Sequence, residues 1–166
     1  MNESIYFYFE GDEFFAGVRE AVATATKSVH VEIYTLASDP VGKGLAELLV
    51  KKAKEGVEIK LIYDAIGCRN TSGDLFDFLE SGGVEIKKYN SILPPGRHFR
   101  RRDHRKMVIV DGMIGFIGGF NFAAEYSRAI SGIKVWRDTG IRMTDDKLVL
   151  TLSFLFTLLC FSGTIR

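Results

Sequence analysis

The sequence predicts an α/β sandwich with a mixed, largely parallel sheet. Short β-branched stretches alternate with helical stretches from residue 5 to residue 88, at lengths typical of strand–helix–strand units. The stretch 57–63 is rich in branched apolar residues, as expected of a buried strand. With 166 residues and 46% hydrophobic content, the chain can bury a core of its own.

The individual elements follow from local patterns. The first helix is predicted from residue 12 because Phe14, Phe15, Val18 and Val22 form one apolar stripe. Glycines follow the second and third helices and mark their ends. Strands are predicted over residues 5–9, 29–36, 57–63 and 84–88, and helices from residue 12, over 44–54 and over 74–80.

A β-hairpin is predicted next, with strands over 105–110 and 113–117 joined by Asp111-Gly112 as a two-residue turn. Alternate residues of a strand share a face, so His104 and Lys106 point the same way. This turn places Lys106 opposite Ile117 and His104 opposite Gly119. Asp111 lies at the turn, and its position in the alternation is opposite to that of His104 and Lys106. We therefore expect it to serve as a scaffold.

The hairpin carries the most specific pattern in the chain, H-x-K-x4-D-x6-G-G-x-N, which runs from His104 to Asn121. It combines a neutral nucleophile, a fixed positive charge and neutral hydrogen-bond donors, which together suit a phosphodiester. Gly118 and Gly119 would leave room for a phosphate to approach the backbone. Fragments of this pattern are weak signals, but the full string in a strand context indicates a phosphoryl-transfer site.

A dense basic run leads into the hairpin, with Asp103 as its only acid. Such a run is either a solvated face or an electropositive rim that attracts an anionic substrate, and its position favours the rim. Lipid head groups and nucleic-acid phosphates both fit it. Arg102 and Arg105 are therefore candidate substrate-binding residues. The run comprises Arg97, His98, Arg100, Arg101, Arg102, His104, Arg105 and Lys106.

Composition restricts the other classes of function. The net charge of +1 is far from that of a dedicated nucleic-acid binder. Two cysteines, Cys68 and Cys160, give no disulfide framework and fit a reducing compartment. The sequence has no Cys/His cluster with metal-ligand spacing, so neither a metal nor a cofactor is expected. Residues 1–10 lack the pattern of a signal peptide, so a cytoplasmic location is predicted.

The motif resembles the signature of the phospholipase D superfamily, in which a serine is commoner at the position of Gly119. The Gly-Gly form, His104-Arg105-Lys106 and Trp136-Arg137-Asp138 resemble bacterial cardiolipin synthases. Further resemblance lies in 31–34, 56–64 and 82–84, and the whole covers roughly residues 5–145. It implies a phospholipase D-like αβα sandwich.

The resemblance also implies roles for individual residues. His104 would attack phosphorus and form a phosphohistidine without a metal. Lys106 and Asn121, helped by backbone N–H groups near Gly118 and Gly119, would stabilise the phosphoryl oxygens. Asp138 would orient the imidazole; the alternatives are that it is a surface aspartate paired with Arg137, or that Glu125 takes the role.

The superfamily takes the acid for the leaving group from a second copy of the motif. This sequence shows one copy, and neither His30 nor His98 lies in a matching pattern. We therefore expect a homodimer, or pairing with a second motif-bearing half, that brings a second histidine to a shared cleft.

Three functions are compatible with the resemblance. The leading one is a phosphatidyltransferase or phospholipase acting on anionic phospholipid. The second is a metal-independent endonuclease that works as a homodimer, because small one-motif members of the superfamily cleave DNA in this way. The third is an inactive half-enzyme that binds acidic lipid.

Residues 1–147 are assigned to the catalytic domain, and 148–166 to an apolar C-terminal tail without charge from 148 to 165. The tail is a truncated remnant, a buried interface helix or a membrane-contacting helix; its polar interruptions argue against a true span. Peripheral contact with the inner face of the membrane is expected.

Overall fold

The structure, a computed structural model, describes residues 4–89 and 102–161, with side chains up to residue 160. Seven strands and five α-helices form within these residues, and single 3₁₀ turns lie at Ala124–Tyr126 and Gly132–Lys134. The elements are β1 (Ile5–Tyr8), α1 (Gly11–Ala23), β2 (Ser28–Ile33), α2 (Pro40–Lys54), β3 (Glu58–Asp64), α3 (Gly73–Ser81), β4 (Glu85–Tyr89), β5 (Met107–Val110), β6 (Ile114–Gly118), α4 (Arg128–Ser131), β7 (Gly140–Met143) and α5 (Asp146–Phe161).

The seven strands form one mixed sheet in the order β1-β7-β6-β5-β2-β3-β4. Only the pairs β2–β3 and β3–β4 are parallel, whereas the other four pairs are antiparallel. The predicted mixed sheet is confirmed, but its description as largely parallel was wrong. Strand–helix–strand units build the parallel half, β2–β4, and β5 enters antiparallel beside β2.

Helices cover both faces of the sheet, which confirms the αβα sandwich. One core joins α1, α2 and α3 to the sheet, and Val108 and Val110 of β5 belong to it. A smaller core lies under α5, and Met107 and Ile109 belong to that one. All of β5 is therefore buried, and its side chains alternate between the two cores.

The helix α5 forms the second layer. Four of its side chains are buried in the smaller core: Val149, Leu152, Phe156 and Leu159. On the opposite side, Leu150, Phe154 and Leu158 are exposed. Lys87 donates from Nζ to the carbonyl oxygens of Leu159 and Cys160, both at 2.6 Å, near the end of the helix. Among the described residues, none of the helices is long and apolar enough to cross a membrane. The roles predicted for 148–166 stay predictions.

The β5–β6 hairpin differs from its predicted register by one residue. Asp111 and Gly112 have the positive φ angles of the expected turn, 54° and 66°, and the Met113 amide donates to Val110 O at 2.9 Å. Pairing then joins Val110 to Ile114, which leaves Met113 as an extra residue in a bulge. Met107, not Lys106, lies opposite Ile117, so the predicted pairings of Lys106 with Ile117 and His104 with Gly119 were wrong.

Candidate active site

His104 and Lys106 lie just before β5, at the edge of the sheet where β2 and β3 end. Lys106 Nζ is 3.1 Å from His104 Nδ1 and donates to His104 O at 2.6 Å. Tyr34 lies just past β2, and the centroid of its ring is 4.4 Å from the centroid of the His104 ring. Lys106 Nζ lies 5.2 Å from the same Tyr34 centroid. The predicted nucleophile and cation are thus brought together.

Burial distinguishes the two side chains. His104 is exposed, whereas Lys106 is buried. Burial lowers the pKa of Lys106 to about 8, although the charges of Asp138 and Asp103 raise it in part. An ammonium held in this way is a strong electrostatic ligand for an anion, and it can lose its proton near neutral pH.

Asp64 anchors the backbone of the catalytic segment. It is fully buried at the end of β3, and its Oδ2 accepts a hydrogen bond from the Asp103 amide at 3.0 Å. Its Oδ1 accepts from the amides of Ile66 and Gly67 at 2.8 and 3.0 Å. One carboxylate thereby fixes the residue before His104 to the loop that follows β3.

Buried acids engage both predicted substrate-binding arginines. Arg102 Nη1 lies 3.8 Å from Asp64 Oδ1. Arg105 Nε lies 2.7 Å from Glu32 Oε1 and 3.1 Å from Asp103 Oδ1. These acids offset part of the charge expected of the rim, and substrate binding by Arg102 and Arg105 stays a prediction. Arg97, His98, Arg100 and Arg101 lie outside the described residues.

Glu32 lies on β2 on the side covered by α5, with no exposed surface. Burial and the adjoining Asp103 carboxyl together raise the pKa of Glu32 to about 8, against the lowering effect of Arg105. Glu32 therefore holds a proton at neutral pH and forms a cluster with Asp103 and Arg105 beneath the catalytic segment.

The space beside both glycines is filled by protein. A Cβ at Gly119 would collide with the carboxylate of Asp138, and one at Gly118 would collide with the carbonyl oxygen of Thr139. The two amides are also engaged: Gly118 N donates to Lys106 O at 3.3 Å, and Gly119 N donates to Thr139 O at 3.1 Å. The room predicted for a phosphate is thus occupied by Asp138 and by the backbone before β7.

Asp138 is exposed, and its Oδ1 accepts a hydrogen bond from the Thr139 amide at 2.8 Å. Within the described residues, the hydrogen bond at Nδ1 of His104 comes from Lys106 and not from Asp138. The alternative partner, Glu125, is half-buried, and burial raises its pKa. The orienting role of Asp138 stays a prediction.

The side chain of Asn121 is buried and makes two hydrogen bonds within the described residues. Its Oδ1 accepts from the Thr35 amide at 3.1 Å, and its Nδ2 donates to the Tyr126 hydroxyl at 3.1 Å. The carboxamide therefore joins the loop after β2 to the segment after β6. Within the described residues the second N–H of Nδ2 makes no hydrogen bond, and the role of Asn121 toward a phosphoryl oxygen stays a prediction.

Asp111 lies at the other end of β5, seven residues from His104 and roughly 20 Å away at the rise of a strand. Its carboxylate accepts hydrogen bonds from the amides of Thr26, Lys27 and Ser28 at 2.8–3.2 Å. The structure does not bring Asp111 to the other site residues. In the described part of the chain, no group of three or more His, Cys, Asp or Glu residues is arranged so that it could hold a metal ion, and the absence of a metal or cofactor stays a prediction.

Sequence reasoning missed Tyr34, Asp64 and Glu32 as parts of the site. Tyr34 and Asp64 stand at the carboxyl ends of neighbouring parallel strands, a position that could have identified them. Glu32 is an acid in a buried strand, which calls for a partner that the sequence does not name.

Comparisons with known proteins identify the family of this chain. Residues 18–147 match the family described as "Cardiolipin synthase, PLD-like domain". Cardiolipin synthase 1 of Staphylococcus aureus (strain MRSA252) is 34% identical over 147 residues, which are 87% of this chain but 30% of that protein.

Two solved structures share the fold. NucT from Helicobacter pylori has a TM-score of 0.74 at 14% identity, with 95% of this chain and 96% of that one covered. Nuc from Salmonella typhimurium, a phospholipase D family member, has a TM-score of 0.69 at 19% identity, with 93% and 91% covered. The family match extends over most of the chain, and the chain belongs to the phospholipase D-like domain family of cardiolipin synthase.

Proposed function

We propose that this domain transfers or hydrolyses phosphodiesters through a phosphohistidine at His104, without a metal, on anionic phospholipid. The main support is the contact of 3.1 Å between Lys106 Nζ and His104 Nδ1 in a chain of the cardiolipin synthase family. An exposed imidazole beside a buried ammonium provides a nucleophile next to an anion site.

A phosphate is needed to activate His104. An ammonium can only donate, so its contact with Nδ1 leaves the imidazole proton on Nε2. When a phosphoryl oxygen draws Lys106 away, the imidazole proton can move to Nδ1, and Nδ1–H then donates a hydrogen bond to Asp138. The lone pair then lies on Nε2, which attacks phosphorus. Hydrogen bonds of this kind commonly form only with substrate bound.

The reaction balances with a second histidine. As the bond from Nε2 to phosphorus forms, the bond to the departing alkoxide breaks, and a second imidazolium protonates that alkoxide. An acceptor hydroxyl then gives its proton back to this imidazole and displaces His104. His104 of a second copy, or a histidine of a second motif-bearing half, supplies the acid.

The test uses phosphatidylglycerol vesicles and the purified chain. Wild type should release glycerol and form cardiolipin in EDTA, and a labelled diester should leave an acid-labile phosphoryl group on the protein. His104→Ala should lose both, about 10³-fold or more. His30→Gln is the matched control, since His30 stacks on Phe156 under α5. A folded wild-type dimer without an adduct would refute the mechanism.

A metal-independent endonuclease is the second candidate, and the shared fold supports it. The match with NucT and with Nuc extends over more than nine-tenths of each chain. Nicking of supercoiled plasmid in EDTA, lost in His104→Ala, with no release of glycerol, would select the endonuclease. Sedimentation separates both from an inactive half that binds lipid, because a monomer lacks the second acid.

A further inference from the structure

The segment 128–137, which joins the first 3₁₀ turn to β7, carries three apolar side chains at the surface. Ile133 is 96% exposed, Trp136 is 58% exposed and Ile130 is 49% exposed. Gly132, with φ of 59°, ends α4 just before Ile133. A nearly fully exposed isoleucine is costly in water, and with two further exposed apolar groups three residues away on either side it indicates an interaction surface.

The charge of this segment is entirely positive. It contains Arg128, Lys134 and Arg137 and no acidic residue. Arg128 is paired with Glu10 at 3.3 Å. For Lys134 and Arg137, no ion pair occurs within the described parts of the chain. Apolar and cationic groups are therefore interleaved, as on surfaces that bind anionic membranes.

The segment borders the candidate active site. The Trp136 ring packs edge-on against Tyr126, with centroids 5.8 Å apart, and its amide donates to Glu125 O at 2.7 Å. Tyr126 in turn holds Asn121, and Asp138 follows two residues after Trp136. The segment is therefore linked, through Tyr126 and through the chain, to Asn121 and Asp138, two of the predicted site residues.

We propose that the segment 128–137 docks this domain on an anionic phospholipid bilayer, with Ile133 inserted among the acyl chains. Trp136 occupies the interface, and Lys134 and Arg137 contact the head-group phosphates. The choice of lipid rests on the proposed function. A second copy of the chain fits less well, because a two-fold contact centred on this segment would oppose cations to cations.

Trp136 makes the test direct, because it is the only tryptophan of the chain. Phosphatidylglycerol vesicles should shift its fluorescence to the blue, and phosphatidylcholine vesicles should not. Ile133→Asp should weaken vesicle binding about tenfold or more, and Lys134→Gln about fivefold. Met113→Ser removes an exposed apolar group from the hairpin at the other end of β5 as the matched control, and its binding should equal that of wild type.

Activity on short-chain phosphatidylglycerol below its micelle concentration separates this proposal from the proposed function. Ile133→Asp should act like wild type on that soluble substrate and lose turnover only on vesicles. If no substrate is turned over but the shift of Trp136 persists, the proposed function fails and the docking surface stands. Two results would overturn the docking proposal. One is a folded chain whose Trp136 fluorescence is unchanged by both kinds of vesicle. The other is a dimer that Ile133→Asp dissociates, in a chain that binds no vesicles.

Discussion

The carboxylate of Asp138 lies over the Cα of Gly119, in the volume that a side chain at position 119 would occupy. The same carboxylate raises the pKa of Lys106 against the larger, lowering effect of burial. Gly119 therefore leaves room for a charge that helps Lys106 stay cationic. This gives the Gly-Gly form of the motif a role in the electrostatics of the site.

Replacing Gly119 with alanine should displace Asp138 from this position. Without its charge, the pKa of Lys106 falls, so the alkaline decline of kcat/KM should begin at lower pH than in wild type. At pH 8 we expect a loss on the order of tenfold. In an Asp138→Ala background, Gly119→Ala should cause no further shift of the pH profile. Equal shifts in both backgrounds would contradict the coupling.

The pKa of Lys106 itself predicts the pH profile. Burial lowers it to about 8, so the ammonium is present below that pH and is lost as the pH rises through it. For the free enzyme, kcat/KM should decline above about pH 8. Lys106→Met should lose about 10²–10³-fold at all pH values. Lys106→Arg should be weakly active but keep its activity above pH 9, because a guanidinium stays charged. If the alkaline decline of kcat/KM is the same in Lys106→Arg as in wild type, a group other than Lys106 causes it.

Local patterns predicted the elements but not the arrangement of the sheet. The apolar stripe of Phe14, Phe15, Val18 and Val22 predicted α1 because helical periodicity depends on neighbours in sequence. The antiparallel entry of β5 beside β2 could not be predicted in this way, because it depends on pairing between distant segments. β7 was missed since a four-residue strand carries little periodic signal.

The residues of the site were predicted better than their geometry. The motif brought His104 and Lys106 together correctly, because both precede one short strand. The bulge at Met113 moved the register by one residue, a shift that turn propensity cannot report. The position of Asp138 over Gly119 depends on the path of residues 128–139, which no local sequence pattern predicts.

Asp111 should matter for stability and not for turnover. Burial raises its pKa, but hydrogen bonds from Ser28, Thr26 and Lys27 outweigh that effect and hold the pKa below its usual range. Asp111→Asn should lower the free energy of unfolding by about 1–3 kcal/mol at pH 7. That difference should shrink as the pH falls through the pKa of the folded protein, where the carboxylate is lost. Urea unfolding at several pH values measures it, and kcat of the folded variant should equal that of wild type.

Glu32 gives the opposite dependence of stability on pH. Its pKa is raised from 4.5 to about 8 in the folded protein, so between these values the folded chain holds a proton that the unfolded chain has lost. Its contribution to stability is complete below about pH 4.5 and disappears as the pH rises to 8, at up to about 1.4 kcal/mol per pH unit. Glutamine keeps the shape of the protonated acid and cannot ionise. Glu32→Gln should therefore gain stability relative to wild type as the pH is raised from 5 to 8.

The control is Glu58→Gln, since Glu58 is exposed and His30 and Lys60 lower its pKa. Parallel pH curves for wild type and Glu32→Gln would mean that Glu32 is ionised in the fold, with Arg105 as its full counter-charge.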